Sequence, residues 1–221
     1  MHYFTIARRS FLTLSAMSLL PFSRSFPSHH PRAGSPTFFV EKVLNQLGID
    51  YRVDAYFGLL VSLNPNKDVG LLREFHSSLD RSHHGLKRHT IRNSKRFFSE
   101  ALPEPTAMNA KNSFLPYVWS ERPYNSPQIN FAPRSGVSKT VAFGISTDGR
   151  CEKVFLNGRM VAISPSSSQE SIDALERIAQ NDGLTLPELI GWFEIGIEKK
   201  KQKTDGPFDG QVIIWDPTLS Y

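Results

Sequence analysis

The sequence predicts an α+β domain, and three observations support that prediction. From residue 128 onward, short segments rich in β-branched and aromatic residues follow one another, as in sheets of short strands. Asn157-Gly158 separates two of these segments and is the strongest short-range signal for a β-hairpin turn. Apolar residues at helical spacing flank the strands at residues 36–47 and 168–181. Helices placed beside a run of short strands are typical of α+β folds.

Helices are predicted on both sides of these strands. Pro36 at the start and Glu41 in the first turn favour a helix that runs to about Leu47. A short helix is predicted over residues 69–79, while the pattern over residues 51–63 fits a strand or a helix. In the second half, the predicted helices are one capped by Ser167 or Ser168 and one that starts at Pro187.

The strands predicted in the second half of the chain are residues 128–132, 139–145, 153–156, 160–163 and 211–215. Their alternation of apolar and polar residues is typical of half-buried strands. Residues 100–117 contain several prolines without any periodicity and are predicted to form a loop.

Composition limits the chain to one good-sized domain or two small ones. The 221 residues are 39% hydrophobic and 11% aromatic, which is enough for a packed core. A charged content of 21% and a mean hydropathy of −0.31 exclude a polytopic membrane protein. The single cysteine, Cys151, excludes an internal disulfide framework and a cysteine-based zinc cluster.

Residues 1–33 are predicted to lie outside the folded domain, which then covers residues 34–221. Arg8-Arg9 precedes the mostly apolar run of residues 14–22, and this pattern resembles a twin-arginine export signal without a clean cleavage site. The run is too short to span a bilayer, so no stable membrane insertion is expected. A flexible, disordered basic tail is the alternative interpretation.

Positive charge is concentrated in one internal stretch. The net charge is +5, and four arginines among residues 1–35 account for most of it. Residues 73–96 nevertheless contain seven basic and two acidic residues, together with four of the seven histidines. A basic patch in an otherwise balanced domain indicates an anionic ligand, and a solvated surface loop is the alternative.

Common catalytic and cofactor motifs do not occur in the sequence. It has no glycine-rich phosphate loop, dinucleotide fingerprint, H-E-x-x-H zinc motif or G-x-S-x-G elbow. His29-His30 and His83-His84 are adjacent pairs whose side chains diverge in regular structure. We therefore predict neither a metal site nor a cofactor.

Residues 85–93 carry the side chains best suited to bind an anion. In a strand, Thr90 and Arg92 share one side, and Lys87 precedes them. Arg92 offers a rigid fork for a phosphate or a carbonyl edge, whereas Lys87 offers a mobile point charge. The alternative is an edge strand whose charges face water.

This strand also resembles a known family. Lys87-x-x-Thr90-Ile91-Arg92 is similar to the signature strand of ASCH domains, which are PUA-like β-barrels related to RNA-binding modules. Four other segments resemble parts of a bacterial and phage-associated ASCH-like group. Residues 36–44 resemble its opening helix, and residues 119–128 resemble its W-x-x-x-P-Y-x-S-x-Q segment. Residues 175–193 resemble its helix-turn-helix, and residues 208–215 resemble its closing strand. The resemblance implies a PUA-like β-barrel with peripheral helices.

The chain departs from the family pattern in two places. Residues 48–82 have no counterpart and are predicted as an insertion between the opening helix and the signature strand. The W-x-x-G-D turn that usually follows T-I-R is replaced by residues 97–100. An export signal is out of character for this family, so the resemblance implies a cytoplasmic protein, with export as the alternative.

The resemblance implies nucleic-acid binding, with RNA or a modified nucleotide as the ligand. In this interpretation basic side chains contact phosphate and aromatic rings stack on a base. The implied ligand-binding residues are Lys87, Arg88, Thr90, Arg92, Lys95, Trp119 and Tyr124. For the two aromatic residues, a place in the core is the alternative.

A catalytic function is the second implication of the resemblance. Some small ASCH proteins resemble acetylcytidine amidohydrolases, and their pattern carries over to Thr90 as nucleophile, Lys87 as its activator and Asp182 in place of a glutamate. A threonine hydroxyl needs an adjacent base, and lysine serves when its pKa is lowered. Asp182-Gly183 as a helix C-cap turn is the alternative. A third possibility is an interaction protein whose basic patch docks an acidic partner.

Overall fold

The computed structural model describes residues 18–93, 113–147, 152–156, 158–163, 168–193 and 208–221. These residues form five helices and two β-sheets, which confirms the predicted α+β class. The helices are α1 (Phe39–Gln46), α2 (Asp54–Leu63), α3 (Val69–Ser77), α4 (Gln169–Asn181) and α5 (Leu186–Phe193). The strands are β1 (Ser18–Pro21), β2 (His89–Asn93), β3 (Ser113–Trp119), β4 (Gln128–Asn130), β5 (Ser135–Gly136), β6 (Lys139–Thr147), β7 (Glu152–Leu156), β8 (Arg159–Ile163) and β9 (Phe208–Ile214).

The larger sheet has the order β2-β9-β6-β7-β8, and all its neighbours are antiparallel. In the smaller sheet β3 pairs with β1 in parallel and with β4 and β5 antiparallel. Within the described residues neither sheet closes on itself, so the PUA-like barrel is not confirmed. The strand β2 lies at an edge of the larger sheet, beside the smaller one.

The two sheets share an aromatic core. Phe114 of β3 lies 5.3 Å from Trp215, which follows β9, measured between ring centroids. Phe22, which follows β1, packs edge-on against Trp215 at 6.1 Å and against Phe131 at 5.6 Å. Edge-to-face contacts of this kind add to the stabilisation from burying aromatic area. The segment after β1 is therefore part of the contact between the sheets.

Residues 18–33 belong to the fold, so their predicted place outside it was wrong. Leu20 is 0% exposed, Phe22 is 2% exposed and Phe26 is 3% exposed. β1 runs in parallel register with β3, from Ser18 opposite Phe114 to Pro21 opposite Tyr117. The apolar side chains of this segment are removed from water by the core, which is the driving force for its docking. Residues 1–17, including Arg8-Arg9, lie outside the described residues.

Most of the remaining elements follow the sequence signals, but residues 113–117, predicted to be part of a loop, belong to strand β3. Helix α1 begins at Phe39, three residues after the predicted proline start, because Phe38 adopts a left-handed conformation with φ 56°. Helices α2 and α3 occupy the predicted insertion, which settles residues 54–63 as helix. The Ser168 side chain accepts a hydrogen bond from the Ser171 amide and so caps α4 as predicted. The predicted hairpin is present, with β7 paired to β8.

None of the helices in the described part of the chain has both the length and the apolar character needed to cross a lipid bilayer.

Candidate functional site

Lys87 and Asp182 form a buried ion pair. The Lys87 side chain is 0% exposed, and its Nζ lies 2.8 Å from Oδ1 of Asp182. The same Nζ donates to the Asp182 carbonyl oxygen at 2.5 Å and lies 4.0 Å from the ring centroid of Phe39. The ammonium has three N–H groups, and the carboxylate, the carbonyl and the ring face give it three partners. Lys87 is therefore held in place by contacts within the fold.

The ion pair lies at the C-terminal end of α4. Asp182 is the C-cap residue, and Gly183 adopts the left-handed conformation with φ 75°. The Leu184 amide donates to the Ala179 carbonyl at 2.8 Å, which completes a Schellman-type turn. Cations are favoured at helix C-termini, where the carbonyl groups carry partial negative charge. Asp182-Gly183 is thus the helix C-cap turn weighed as the alternative, and Lys87 binds to it.

Burial shifts the pKa of both members of the pair. Desolvation lowers the pKa of Lys87 to about 8, and the neighbouring Asp182 carboxylate opposes this shift. Desolvation raises the pKa of Asp182, and Lys87 opposes that shift. Low dielectric surroundings disfavour each charged form, so each group moves toward neutrality. Lys87 consequently loses its proton at a lower pH than an exposed lysine.

His89 belongs to the same cluster, although the sequence analysis did not select it. It is 0% exposed, and its Nε2 faces Oδ1 of Asp182 at 3.7 Å. Its Nδ1 lies 2.5 Å from the Tyr221 hydroxyl, whose oxygen also accepts from Asn181 at 3.3 Å. The Tyr221 hydroxyl therefore donates its hydrogen bond to Nδ1. With Nδ1 as the acceptor, the proton of the neutral imidazole ring is on Nε2. Burial and the Lys87 charge hold the pKa of His89 well below its usual range, so the ring is neutral.

Arg92 bridges the two sheets without a carboxylate partner. Its Nη2 donates to the Pro21 carbonyl oxygen and its Nη1 donates to the Ile91 carbonyl at 3.4 Å. Its Nε is buried and has no hydrogen-bond partner. Among the described residues no Asp or Glu oxygen lies within 4 Å of the guanidinium, and burial lowers its pKa. The guanidinium also lies 5.7 Å from the centroid of the Phe22 ring, and the Asp182 charge acts on it from beyond ion-pair distance. Its hydrogen bonds go to carbonyl groups alone, so N–H groups remain that an acceptor from a ligand can satisfy.

A row of three aromatic side chains begins beside Arg92. Tyr117 is the register partner of Pro21, whose carbonyl holds the Arg92 guanidinium. The Tyr117 ring packs edge-on against Trp119 with centroids 5.7 Å apart, and Trp119 lies 5.5 Å from Tyr124. The row therefore runs from the contact between the sheets to the loop that joins β3 to β4.

Tyr124 is presented to solvent by a tightly bonded loop. Its side chain is 78% exposed, and its backbone has φ 65°, a conformation that costs energy for an aromatic residue. The Ser126 hydroxyl accepts from the Glu121 amide at 3.0 Å and donates to the Arg122 carbonyl at 2.9 Å. Strained residues that a loop holds in place are frequent at binding sites.

The other predicted site residues are placed differently. Thr90 is 1% exposed, and its hydroxyl makes no hydrogen bond within the described residues. Arg88 is paired with Asp216, with 3.5 Å between Nε and Oδ2, so its charge already has a partner. Lys95 lies outside the described residues. The structure thus joins Lys87 to Asp182, places Arg92 beside the aromatic row, and assigns Arg88 to a separate ion pair.

No protein-family model, curated protein or solved structure matches this chain. In the part of the chain that the structure describes, no group of three His, Cys, Asp or Glu side chains is placed to hold a metal ion. The function of the site therefore has to follow from its own contacts.

Proposed function

We propose that the chain binds nucleic acid, either RNA or a modified nucleotide, at a surface formed by Arg92, Trp119 and Tyr124. The observation that carries the proposal is the half-buried Arg92 guanidinium, which has no carboxylate partner among the described residues. The Asp182 charge acts on the guanidinium only from beyond ion-pair distance, and withdrawing a cation from water without a close counter-charge is costly. Phosphate oxygens or a base carbonyl accept hydrogen bonds from a guanidinium in the geometry of its fork.

Trp119 and Tyr124 supply the stacking surface that single-stranded nucleic acid requires. Their rings are in contact, and Tyr124 is 78% exposed on a loop held by its own hydrogen bonds. Stacking of one base on an aromatic side chain contributes roughly 1–3 kcal/mol to binding. RNA-binding modules combine such stacking with phosphate and base-edge contacts.

Lys87 acts as a structural residue in this proposal. Its ammonium is 0% exposed and is held by Asp182 and the Phe39 ring. A phosphate that approached Lys87 would have to displace the Asp182 carboxylate from a buried position, which is unfavourable. Among the described residues, the proposed ligand-contacting set is therefore reduced to Arg92, Trp119 and Tyr124.

The proposal includes membership of the ASCH family and a PUA-like barrel that is open in its described part. Two features support it. Lys87 of the signature strand contacts Asp182 of the helix-turn-helix, as the resemblance implies. Arg92, from the same strand, joins the larger sheet to Pro21 of the smaller one. An experimental structure tests the barrel by showing whether the two sheets connect around a common axis.

Replacing Arg92 by Gln is expected to weaken binding of a short single-stranded RNA about 10- to 100-fold. A hydrogen bond to a charged group contributes about 1.5–3 kcal/mol, and the substitution removes both the charge and the fork. Fluorescence anisotropy on the full chain measures this loss. Repeated at several salt concentrations, it is expected to show that the slope of log affinity against log salt concentration decreases in magnitude by about one.

The matched control for Arg92 is Arg88→Gln. Arg88 has the same charge and lies four residues earlier, but it is paired with Asp216. We expect this variant to bind RNA within about 2-fold of the unsubstituted chain, because its ligand contacts are unchanged. Equal losses in the two variants would show a non-specific charge effect and contradict the proposed site.

We propose amidohydrolysis of acetylated cytidine as a second candidate function, because Lys87 and Asp182 are in contact at 2.8 Å and burial lowers the pKa of Lys87 to about 8. In this mechanism Lys87 accepts the proton of the Thr90 hydroxyl while the Thr90 oxygen attacks the carbonyl carbon of the acetyl group. The amide C–N bond breaks, the departing amine receives the proton, and water hydrolyses the acyl-threonine to release acetate. The Asp182 carboxylate stabilises the lysinium formed in the first step.

Turnover of acetylated cytidine is expected to fall by roughly 10³-fold or more in Thr90→Ala, because the nucleophile is removed. The matched variant Thr90→Ser keeps a hydroxyl and is expected to retain turnover. Because Lys87 must be neutral to act as base, the rate is expected to rise with pH and level off above about 8. Product release followed by chromatography measures both effects. No turnover by the unsubstituted, folded chain would exclude this candidate for that substrate.

A further inference from the structure

Tyr117 has a hydroxyl group that the fold leaves unused. The residue is 7% exposed, its ring packs against Trp119, and its backbone carbonyl accepts from the Phe22 amide at 2.9 Å. The hydroxyl makes no hydrogen bond to another described residue, and it is not one of the buried polar atoms, so a ligand can reach it. This group therefore lacks the partner that a ligand can supply.

Tyr117 and Arg92 both adjoin the same residue of β1. Pro21 is the register partner of Tyr117, and the carbonyl of Pro21 holds Nη2 of Arg92. The Arg92 charge also acts on Tyr117, where it opposes the increase in pKa that burial causes. Burial is the larger effect, so the hydroxyl stays protonated and is a donor at neutral pH.

We propose that Tyr117 is a specificity-determining residue whose hydroxyl, together with Arg92, forms the hydrogen-bonding end of a site that has Trp119 and Tyr124 as its stacking end. This inference rests on the proposed nucleic-acid binding and names the part of the ligand that is recognised. The guanidinium only donates, and its positive charge orients the hydroxyl oxygen toward itself and the O–H away. In this proposal the site presents two donors, the hydroxyl and the guanidinium, to one ligand.

Two neighbouring donors match a base edge with two neighbouring acceptors. Guanine presents O6 and N7, and unpaired cytosine presents O2 and N3. Adenine has its amino group, a donor, beside N7 or N1, and uracil has an N–H donor between its two carbonyl oxygens. In either base a donor would therefore face one of the two donors of the site. The chemistry of Tyr117 and Arg92 therefore selects guanine or cytosine over adenine or uracil.

The test uses the full chain and four short oligouridine RNAs that carry U, A, C or G at one central position. Fluorescence anisotropy is expected to show about 10-fold tighter binding of the RNAs with central C or G, as expected for one good base-edge contact. Tyr117→Phe removes only the oxygen and retains the ring. We expect it to reduce this preference to about 2-fold or less, while the melting temperature stays unchanged.

The matched control is Tyr56→Phe. The Tyr56 hydroxyl donates to the Phe131 carbonyl at 2.8 Å inside the core, so its loss is expected to lower the melting temperature and leave the base preference intact. A preference that persists in Tyr117→Phe, or an equal loss of affinity for all four RNAs, would overturn the inference, and equal losses would indicate a phosphate contact. Binding of none of the RNAs by the unsubstituted chain would overturn the proposed function itself.

Discussion

Replacing Lys87 by Met is expected to lower the free energy of unfolding by about 3–5 kcal/mol. The substitution leaves the Asp182 carboxylate in a site that is 6% exposed, without the ammonium that lies 2.8 Å from it. Removing one partner of a buried ion pair is costly, because the remaining charge is neither solvated nor paired. The Asp182 carbonyl loses its bond to Nζ as well. Urea unfolding followed by tryptophan fluorescence measures the change.

Arg88 provides the matched control for Lys87. It is the next residue along the chain and is also ion-paired, but its side chain is 40% exposed and its partner Asp216 lies 3.5 Å away. Exposed pairs of this kind contribute about 0–1 kcal/mol, so Arg88→Met is expected to have a small effect. A loss for Lys87→Met no larger than that of Arg88→Met would contradict the buried ion pair.

A double substitution separates the ion pair from simple packing. In Lys87→Met with Asp182→Leu, no unpaired charge remains in the core. The double variant is therefore expected to lose less stability than the sum of its two single variants, with a coupling of about 0.5–3 kcal/mol. Additive losses would show that the two side chains contribute independently.

The stability of the ion pair matters for the proposed binding, because Lys87, which precedes β2, contacts the end of α4. Lys87 contacts the Asp182 carbonyl and carboxylate, and His89 faces the same carboxylate at 3.7 Å. The same strand carries Arg92 to the contact between the sheets. The cluster around Asp182 thus positions the residue that we propose binds the ligand, and its loss would weaken binding indirectly.

Elements with local signals could be predicted from the sequence. Ser168 caps α4 through a bond to a residue three positions later, and the β7–β8 hairpin needs only a tight turn between adjacent strands. Such contacts form between near neighbours, so composition and spacing record them. The place of residues 18–33 could not be predicted in this way. The first residues of this segment pair with β3, a strand about a hundred residues later in the chain. The segment itself is rich in Pro, Ser and His, a composition that does not indicate a strand.

The candidate site shows the same division. The Lys87–Asp182 contact joins residues 95 apart, and only the resemblance to a family placed them together. Strand alternation places Thr90 and Arg92 on one side of β2 and His89 on the other. It does not show which side faces the end of α4, so the sequence analysis did not select His89. Tyr117 was not selected because its proposed role depends on Pro21, its register partner in a segment predicted to lie outside the fold.

The docking of β1 leads to the second large expected effect, at Leu20. This side chain is 0% exposed, whereas its neighbour Leu19 is 36% exposed. Leu20→Ala is expected to lower the free energy of unfolding by about 3–5 kcal/mol, because it removes buried methyl groups and leaves a cavity. Leu19→Ala makes the same chemical change on the opposite side of the strand and is expected to cost about 1 kcal/mol or less.

The comparison of Leu20 with Leu19 tests the structure of the segment, since the two variants share residue type, strand and local propensity. A difference between them arises only if β1 presents one side to a packed core. Urea unfolding of both full-length variants, with unchanged slopes, measures the difference directly. Equal, small losses would mean that β1 lies outside the cooperative fold. The Pro21 carbonyl would then be unable to hold Arg92 in place, and the proposed pairing of Arg92 with Tyr117 would lose its support.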